Sequence, residues 1–215
     1  MNTTHRQHGS ILSAWAGLVL AAAAGPDVPA DPVTAKVADL RYRVTAIEHE
    51  KGDKAAAFDV LATRADALVR EYPTRPEPLV WKGIALSAGA KHKGLGALGS
   101  VKEARALLEA ALAMDERVAG PVAHNALGML YHKVPGWPVS FGNDKTAEEH
   151  FRKAVAASSC LDTHYRYGEY LMDEGRRDEA LKHLEQALAF PDRPGHAEDP
   201  LKKEEIRALL GRLRK

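Results

Sequence analysis

The sequence predicts an all-α protein built from pairs of antiparallel helices. Apolar residues recur at helical spacing through most of residues 31–215. No run of alternating β-branched residues indicates a sheet. The chain also matches itself: two segments share a glycine in one predicted helix and an Ala-Phe/Leu-Ala pattern in the next. Together these observations predict helical repeats.

The two matching segments align on Gly128 and Gly168. The residues at the following +4 and +7 offsets then correspond, Ala147, Phe151 and Ala154 with Ala180, Leu184 and Ala187. Gly128 lies 19 residues before Ala147, whereas Gly168 lies 12 residues before Ala180. The first segment therefore carries seven more residues between its two helices.

An earlier segment has the same 19-residue spacing as the Gly128 segment. Ala85 takes the place of the glycine, and Ala104, 19 residues later, takes the place of Ala147. Small residues at these positions let paired helices approach closely. We predict repeat units near residues 35–73, 76–116, 121–158 and 161–191, and a terminal helix at 199–214 that covers the last unit. Residues 31–215 would form one domain.

This arrangement resembles the tetratricopeptide repeat, whose pattern is a large residue, Leu-Gly, Tyr, then Ala, Phe and Ala. The residues that match are Trp81, Leu127-Gly128, Tyr131, Ala147, Phe151 and Ala154. The resemblance implies an α-α superhelix closed by the terminal helix, and no catalytic residues accompany it.

The balance of charges argues against a nucleic-acid partner. The chain has 30 basic and 29 acidic residues, and no long block of like charge. Its only cysteine, Cys160, lies among small and apolar residues and has no internal partner for a disulfide bond. We expect it to be a packed thiol.

The first thirty residues differ from the rest of the chain. Arg6 precedes an uncharged apolar stretch, ILSAWAGLVLAAAAG, which is too short for a membrane span and suits a signal peptide. Residues 1–24 are therefore predicted to be a cleaved leader that directs export, to the periplasm in a bacterium. A retained leader is the alternative, and we expect membrane contact only through it or through a transporter partner.

The stretch VPGWPVSFGND lies between Gly128 and Ala147, where it interrupts the helical pattern, and three hypotheses account for it. In the first, Trp137 and Phe141 fold back and cap the apolar end of the helix pair. In the second, the loop presents these aromatics to a partner. In the third, His132, Asp144 and His150 bind a metal ion, although no known metal-binding motif includes them.

The companion insert, AGAKHKGLGALGSVKEA, lies between Ala85 and Ala104 and is rich in glycine. It follows a helix and lacks the GK[ST] ending, so it does not predict a phosphate-binding loop. Equivalent inserts in stacked repeats emerge on the same side. We therefore expect two neighbouring loops that form one composite surface.

Two histidines occupy equivalent positions, since His124 and His164 each lie four residues before a matching glycine. Duplication of the position indicates a role in packing or in a groove. His183 is expected to face solvent. The acidic residues are spread along helix surfaces, and no GxSxG, SxxK or HExxH motif is present. We therefore predict no enzyme activity, no cofactor and no bound metal.

The PGWP-containing stretch also resembles a group of exported bacterial tetratricopeptide-like proteins, and more distantly the T component of TRAP transporters. The first resemblance implies a scaffold that binds a protein or peptide partner. The predicted contacts are Trp137, Phe141, Tyr131 and His132, with His124 and His164 if they face the groove. The alternatives are a transporter accessory subunit that handles a small ligand and, third, a metal-binding protein or enzyme.

Overall fold

A computed structural model describes residues 31–215, which fold into nine α-helices without a β-strand. The predicted all-α class is confirmed for this part of the chain, and the predicted leader at 1–24 lies outside the described residues. The helices are α1 Pro32–His49, α2 Lys54–Glu71, α3 Pro76–Lys93, α4 Leu98–Met114, α5 Glu116–Lys133, α6 Asp144–Ala157, α7 Leu161–Asp173, α8 Arg177–Ala189 and α9 Asp199–Leu213.

Local sequence signals set several helix ends. The side chains of Asp31, Asp53 and Asn143 each accept a hydrogen bond from a free backbone N–H at the start of α1, α2 and α6. Gly175 turns the chain between α7 and α8 with a φ of 71°, a conformation that favours glycine. Of the described helices, none is long and apolar enough to cross a bilayer.

Consecutive helices pack together along the chain, α3 with α4, α5 with α6 and α7 with α8. The predicted first pair is less distinct, because α2 packs more extensively against α3 than against α1. Phe58 of α2 shares a buried cluster with Ala85 of α3, which explains this preference. The cores between the helices are apolar and small-residue rich, as the sequence predicts.

The two glycines that align the sequence lie at close approaches between helices. A Cβ added at Gly128 would lie 2.9 Å from the ring of Phe151, and one at Gly168 would lie 2.8 Å from Leu184. The equivalent role that we predicted for Ala85 is wrong in part. Ala85 is fully buried against α2, and Gly83, two residues earlier, lies against Leu108 of α4.

Helix α9 packs against α7 and α8, as predicted, and it also reaches α1. Glu205 of α9 accepts a hydrogen bond from Tyr165 of α7 at 2.6 Å and lies 2.9 Å from His49 of α1. Just before α9, the buried carboxylate of Glu198 pairs with Arg41 of α1 at 2.8 Å. The terminal helix therefore joins the first helix of the described chain to its last pair.

The seven extra residues of the two longer units are placed differently. Helix α5 ends five residues after Gly128 and α7 ends five residues after Gly168, so all of the excess between α5 and α6 lies in the connector 134–143. Between α3 and α4 the connector is a short 3₁₀ turn, Gly94–Ala97; α3 continues for eight residues after Ala85, and α4 begins six residues before Ala104. The prediction of two neighbouring loops is therefore wrong, because this stretch contains no proline and helix continues through most of it despite its four glycines.

Candidate functional site at the connector between α5 and α6

Backbone hydrogen bonds close the connector 134–143 into a compact loop, which we call the insert. The N–H of Gly142 donates to the carbonyl of Pro135 at 3.0 Å, and the N–H of Asn143 donates to that of Tyr131 at 2.8 Å. At the tip, the N–H groups of Val139 and Ser140 both donate to the carbonyl of Gly136 at 3.1 Å. These bonds fix both the base and the tip of the loop.

Glycine is required at the base of the insert. A Cβ at Gly142 would lie 1.8 Å from the carbonyl oxygen of Val134, a backbone atom that has no freedom to move aside. A Cβ at Gly136 would lie 3.2 Å from the carbonyl oxygen of Gly142. The two arms of the loop therefore touch through their backbones.

The two aromatic side chains of the insert have opposite environments. Phe141 is partly buried, with its ring 5.3 Å from that of Tyr131 and 4.4 Å from the guanidinium of Arg105 on α4. Trp137 is 90% exposed, and Val139 beside it is 53% exposed. The first hypothesis for the insert thus describes Phe141, whereas Trp137 lies in solvent.

At the base of the insert, His132 is surrounded by carboxylates from α6, α7 and the turn that follows α7. Its Nδ1 lies 3.1 Å from Asp144 and 3.8 Å from Glu174, and its Nε2 lies 3.2 Å from Asp173. Lys133 also pairs with Asp173. Burial opposes ionisation of Asp173, but the hydrogen bonds from Lys133 and His132 outweigh it and lower the pKa of this carboxyl.

Two histidine pairs lie inside the helix pairs on either side of this base. The Nδ1 atoms of His124 and His150 are 2.9 Å apart, and those of His164 and His183 are also 2.9 Å apart. Burial, and after it the neighbouring histidine, lowers the pKa of His150 and of His183 to about 4. Each short contact accommodates one proton, so both pairs fit neutral imidazoles.

The structure separates the six side chains that the sequence nominates as partner contacts. His124 and His164 are 4% and 3% exposed and face their own helix pairs, so they present almost no surface. Tyr131 is partly buried and stacks on His150 at 5.6 Å. The side chain of His132 is 10% exposed. Only the members on the insert itself remain near its surface: Trp137, and in part Phe141.

Sequence reasoning missed the partners of these histidines. His150 and His183 each lie three residues after an aligned alanine, so the alignment that equated His124 with His164 already contained the second member of each pair. The expectation that His183 faces solvent is wrong for this reason. Likewise, His150 belongs to His124 and is not part of a cluster with His132 and Asp144, where Glu174 lies instead.

The second missed feature is a buried ionic cluster before α9. Glu198 and Asp199 are fully buried, contrary to the expectation that acids lie on helix surfaces. Asp199 accepts hydrogen bonds from Arg193, at 2.6 Å for the shortest. Asp162 of α7 pairs with Arg193 and Lys202. Four of these residues lie within 193–202, but their burial depends on the pairing with Asp162 and Arg41 from distant segments.

Neither a protein-family model nor a curated protein sequence matches this chain significantly.

Proposed function

We propose that this protein is a tetratricopeptide-like scaffold that binds a protein or peptide partner through the insert between α5 and α6. The observation that carries the proposal is the exposure of Trp137 on a loop that is itself ordered. Tryptophan is the residue most enriched in the energetic centres of protein interfaces. Because Trp137 buries little of its side chain within its own chain, we infer that a partner covers it.

The order of the insert favours tight binding. Pro135 and Pro138 restrict the backbone, and the contacts of Gly136 with Gly142 hold the arms together. A loop that is already ordered loses little conformational entropy when a partner docks. The contact surface is then small, with Trp137 at its centre and Val139 beside it.

Duplicated contacts support the repeat assignment within this proposal. The pairs α5–α6 and α7–α8 share a glycine that faces a large side chain and a histidine pair at equivalent positions. Duplication of one ancestral unit explains both. Export through residues 1–24, and hence a periplasmic location, remains a prediction from the sequence.

Substitution of Trp137 by alanine tests the proposal. Immobilised wild-type protein is incubated with extract of the source cell, the periplasmic fraction in the case of a bacterium, and retained proteins are identified by mass spectrometry. We expect a partner that the wild type retains and Trp137→Ala loses, with a melting temperature that stays the same because Trp137 makes no buried contact.

Tyr42→Ala is the matched control, because Tyr42 is an exposed aromatic (39%) on α1, away from the insert. It should retain the partner. Equal retention by Trp137→Ala and wild type would contradict the proposal, and so would a large loss of stability in Trp137→Ala, which would assign the side chain to packing.

The second candidate, a transporter accessory subunit for a small ligand, would need a cavity. A depression of about 450 Å³ lies between α8 and α9, lined in part by Leu188, Arg207 and Leu210, and it is open to solvent. Glu185 in its lining pairs with Arg214 at 2.8 Å, so Arg207 is the cation that would attract an organic acid. A rise in melting temperature with such a ligand, abolished in Arg207→Ala, would favour this candidate over the first.

A further inference from the structure

We propose that His132, Asp144 and Glu174 form a binding site for a divalent transition-metal ion, best suited to Zn²⁺. Their ligand atoms all lie within 4.8 Å of one another. The three residues come from the end of α5, the start of α6 and the residue that follows α7. An ion at this point would fasten the base of the insert to the next helix pair.

The first argument is the orientation of the imidazole of His132. Its Nε2 faces Asp173 at 3.2 Å and its Nδ1 faces Asp144 at 3.1 Å, so an imidazole with a single N–H donates to only one of the two carboxylates. The tautomer that donates from Nε2 to Asp173 has its lone pair on Nδ1. Metal-binding histidines are held in the same way, with the second ring N–H donated to a carboxylate that fixes the tautomer.

The second argument is what this lone pair faces. Nδ1 points at carboxylate oxygens of Asp144 and Glu174, at 3.1 and 3.8 Å. Three acceptors without a proton between them repel one another, and a cation at their centre removes the repulsion. A bound metal ion supplies that charge.

The third argument is the spacing. An ion about 2.1 Å from each of two ligands separates them by about 3.0 Å in octahedral and about 3.4 Å in tetrahedral geometry. The distances from His132 Nδ1 to Asp144 and Glu174, 3.1 and 3.8 Å, lie on either side of the tetrahedral value and both exceed the octahedral one. The ring also has a fixed position, because its edge packs against Tyr170 at 5.0 Å, and the hydroxyl of Tyr170 donates to the backbone carbonyl of Asp144 at 3.3 Å.

A comparison with a second cluster of metal-ligand residues strengthens the inference. His196, Glu198 and Asp199 are equally close to one another. That cluster, however, is neutralised by the cations of Arg41, Arg193 and Lys202, which pair with its carboxylates. Around His132, the ion pairs described above include three carboxylates but only one lysine or arginine, Lys133. The excess negative charge thus lies where a metal ion would sit.

The donor set selects the class of ion. One imidazole nitrogen with two carboxylate oxygens suits Zn²⁺ and related first-row ions, whereas Mg²⁺ and Ca²⁺ prefer oxygen alone. The carboxylate of Asp144 is 60% exposed, so water has access to complete the coordination.

Titration calorimetry with ZnCl₂ tests the site on protein that has been stripped with a chelator and carries no histidine tag. We expect one ion per chain at this site. Asp144→Asn and Glu174→Gln should each weaken binding at least ~10-fold. Asp173→Asn, which removes the carboxylate that orients His132 and pairs with Lys133, should weaken binding by about 10-fold or more. The control is Asp178→Asn on α8, an exposed acid outside the cluster, which should bind as the wild type does.

Two further measurements decide the remaining outcomes. Co²⁺ should give a visible absorption band that His132→Gln loses, and excess Mg²⁺ should not displace Zn²⁺. Absence of Zn²⁺ binding by the folded wild type would overturn the proposal. Zn²⁺ binding that survives each of His132→Gln, Asp144→Asn and Glu174→Gln would also overturn the proposal. Loss of Zn²⁺ binding in His196→Gln would overturn it as well.

Discussion

The helix pairs α5–α6 and α7–α8 contain the same internal contacts, yet their connectors differ by seven residues. In each pair a glycine faces Phe151 or Leu184, and two histidines meet at 2.9 Å. The helices also stop and start at equivalent positions relative to these contacts. The shorter pair shows that such contacts form across a three-residue turn. The insert is therefore an addition to the helix pair, and its exposed tryptophan is the clearest consequence of that addition.

The pair α3–α4 connects its two helices in a third way. It has as many extra residues as α5–α6, but helix continues through most of them. Pro135 and Pro138 explain the difference, because proline lacks an N–H and clashes with the preceding turn of a helix. The prolines thus convert a potential helix extension into a loop.

The largest expected effect on stability comes from adding a side chain at the glycine that faces a large residue in each pair. Gly128→Val and Gly168→Val should each lower the free energy of unfolding by about 3 kcal/mol, because their side chains would overlap Phe151 or Leu184. Urea denaturation followed by circular dichroism measures this loss. Unequal losses would show that the pairs are not equivalent.

Gly211→Val is the matched control for these variants. Gly211 lies in α9 with no atom within 4 Å of an added Cβ. Valine and glycine differ little in helix propensity, so the change should stay within about 0.5 kcal/mol. A loss as large as that at Gly168 would show that backbone effects, and not close approach, dominate.

The histidine pairs predict the next largest effect, a loss of stability in mild acid. The folded-state pKa of His150 and of His183 is about 4, below the ordinary value of 6.5. The unfolded chain therefore binds more protons between these values, and stability falls as the pH drops from about 6.5 towards 4. We expect each pair to contribute about 1 kcal/mol after allowance for partial solvent exposure.

Urea denaturation at pH 7.5 and pH 5.0 measures this dependence. His150→Gln and His183→Gln should each remove a similar part of it. Paired carboxylates such as Asp199 have a lowered pKa, so their contribution is lost only below about pH 4 and does not interfere at pH 5.0. A pH dependence that both variants leave intact would refute the role of the histidine pairs.

The smallest effect on global stability should come from the insert. Gly142→Ala places a methyl group against the carbonyl of Val134 and should open the base of the loop, at a cost of about 1 kcal/mol. Helix content should stay constant. Partner binding should fall, because Trp137 then occupies many positions, and limited proteolysis should cut within 134–143. Resistance to proteolysis equal to that of the wild type would contradict the tightly closed base.

Much of this fold is predictable from sequence because its signals are local. Helical periodicity, the capping residues Asp53 and Asn143, and the aligned glycines follow from neighbours along the chain. The glycine-rich stretch between Ala85 and Ala104 was wrongly predicted to be a loop, because the alignment counts residues and does not distinguish a longer helix from a loop. Proline, which is present in 134–143 and absent between Ala85 and Ala104, was the signal that distinguishes the loop from the longer helices.

The candidate sites were less predictable because they depend on contacts between distant segments. Trp137 and Phe141 are equally apolar in the sequence, and only the fold places one against Arg105 and the other in solvent. His132 gains its three carboxylate neighbours from two other helices and a turn. These arrangements depend on helix packing, which composition and spacing do not encode directly.

A connector exchange tests the central claim most directly. Residues 134–143 are replaced by Glu-Gly-Arg, the turn that joins α7 to α8, since the flanking helices end at equivalent positions. We predict a variant with wild-type helix content and cooperative unfolding that no longer retains the partner bound by the wild type. A variant that fails to fold, or one that retains that partner, would contradict the account of the insert as a binding loop added to a self-sufficient helix pair.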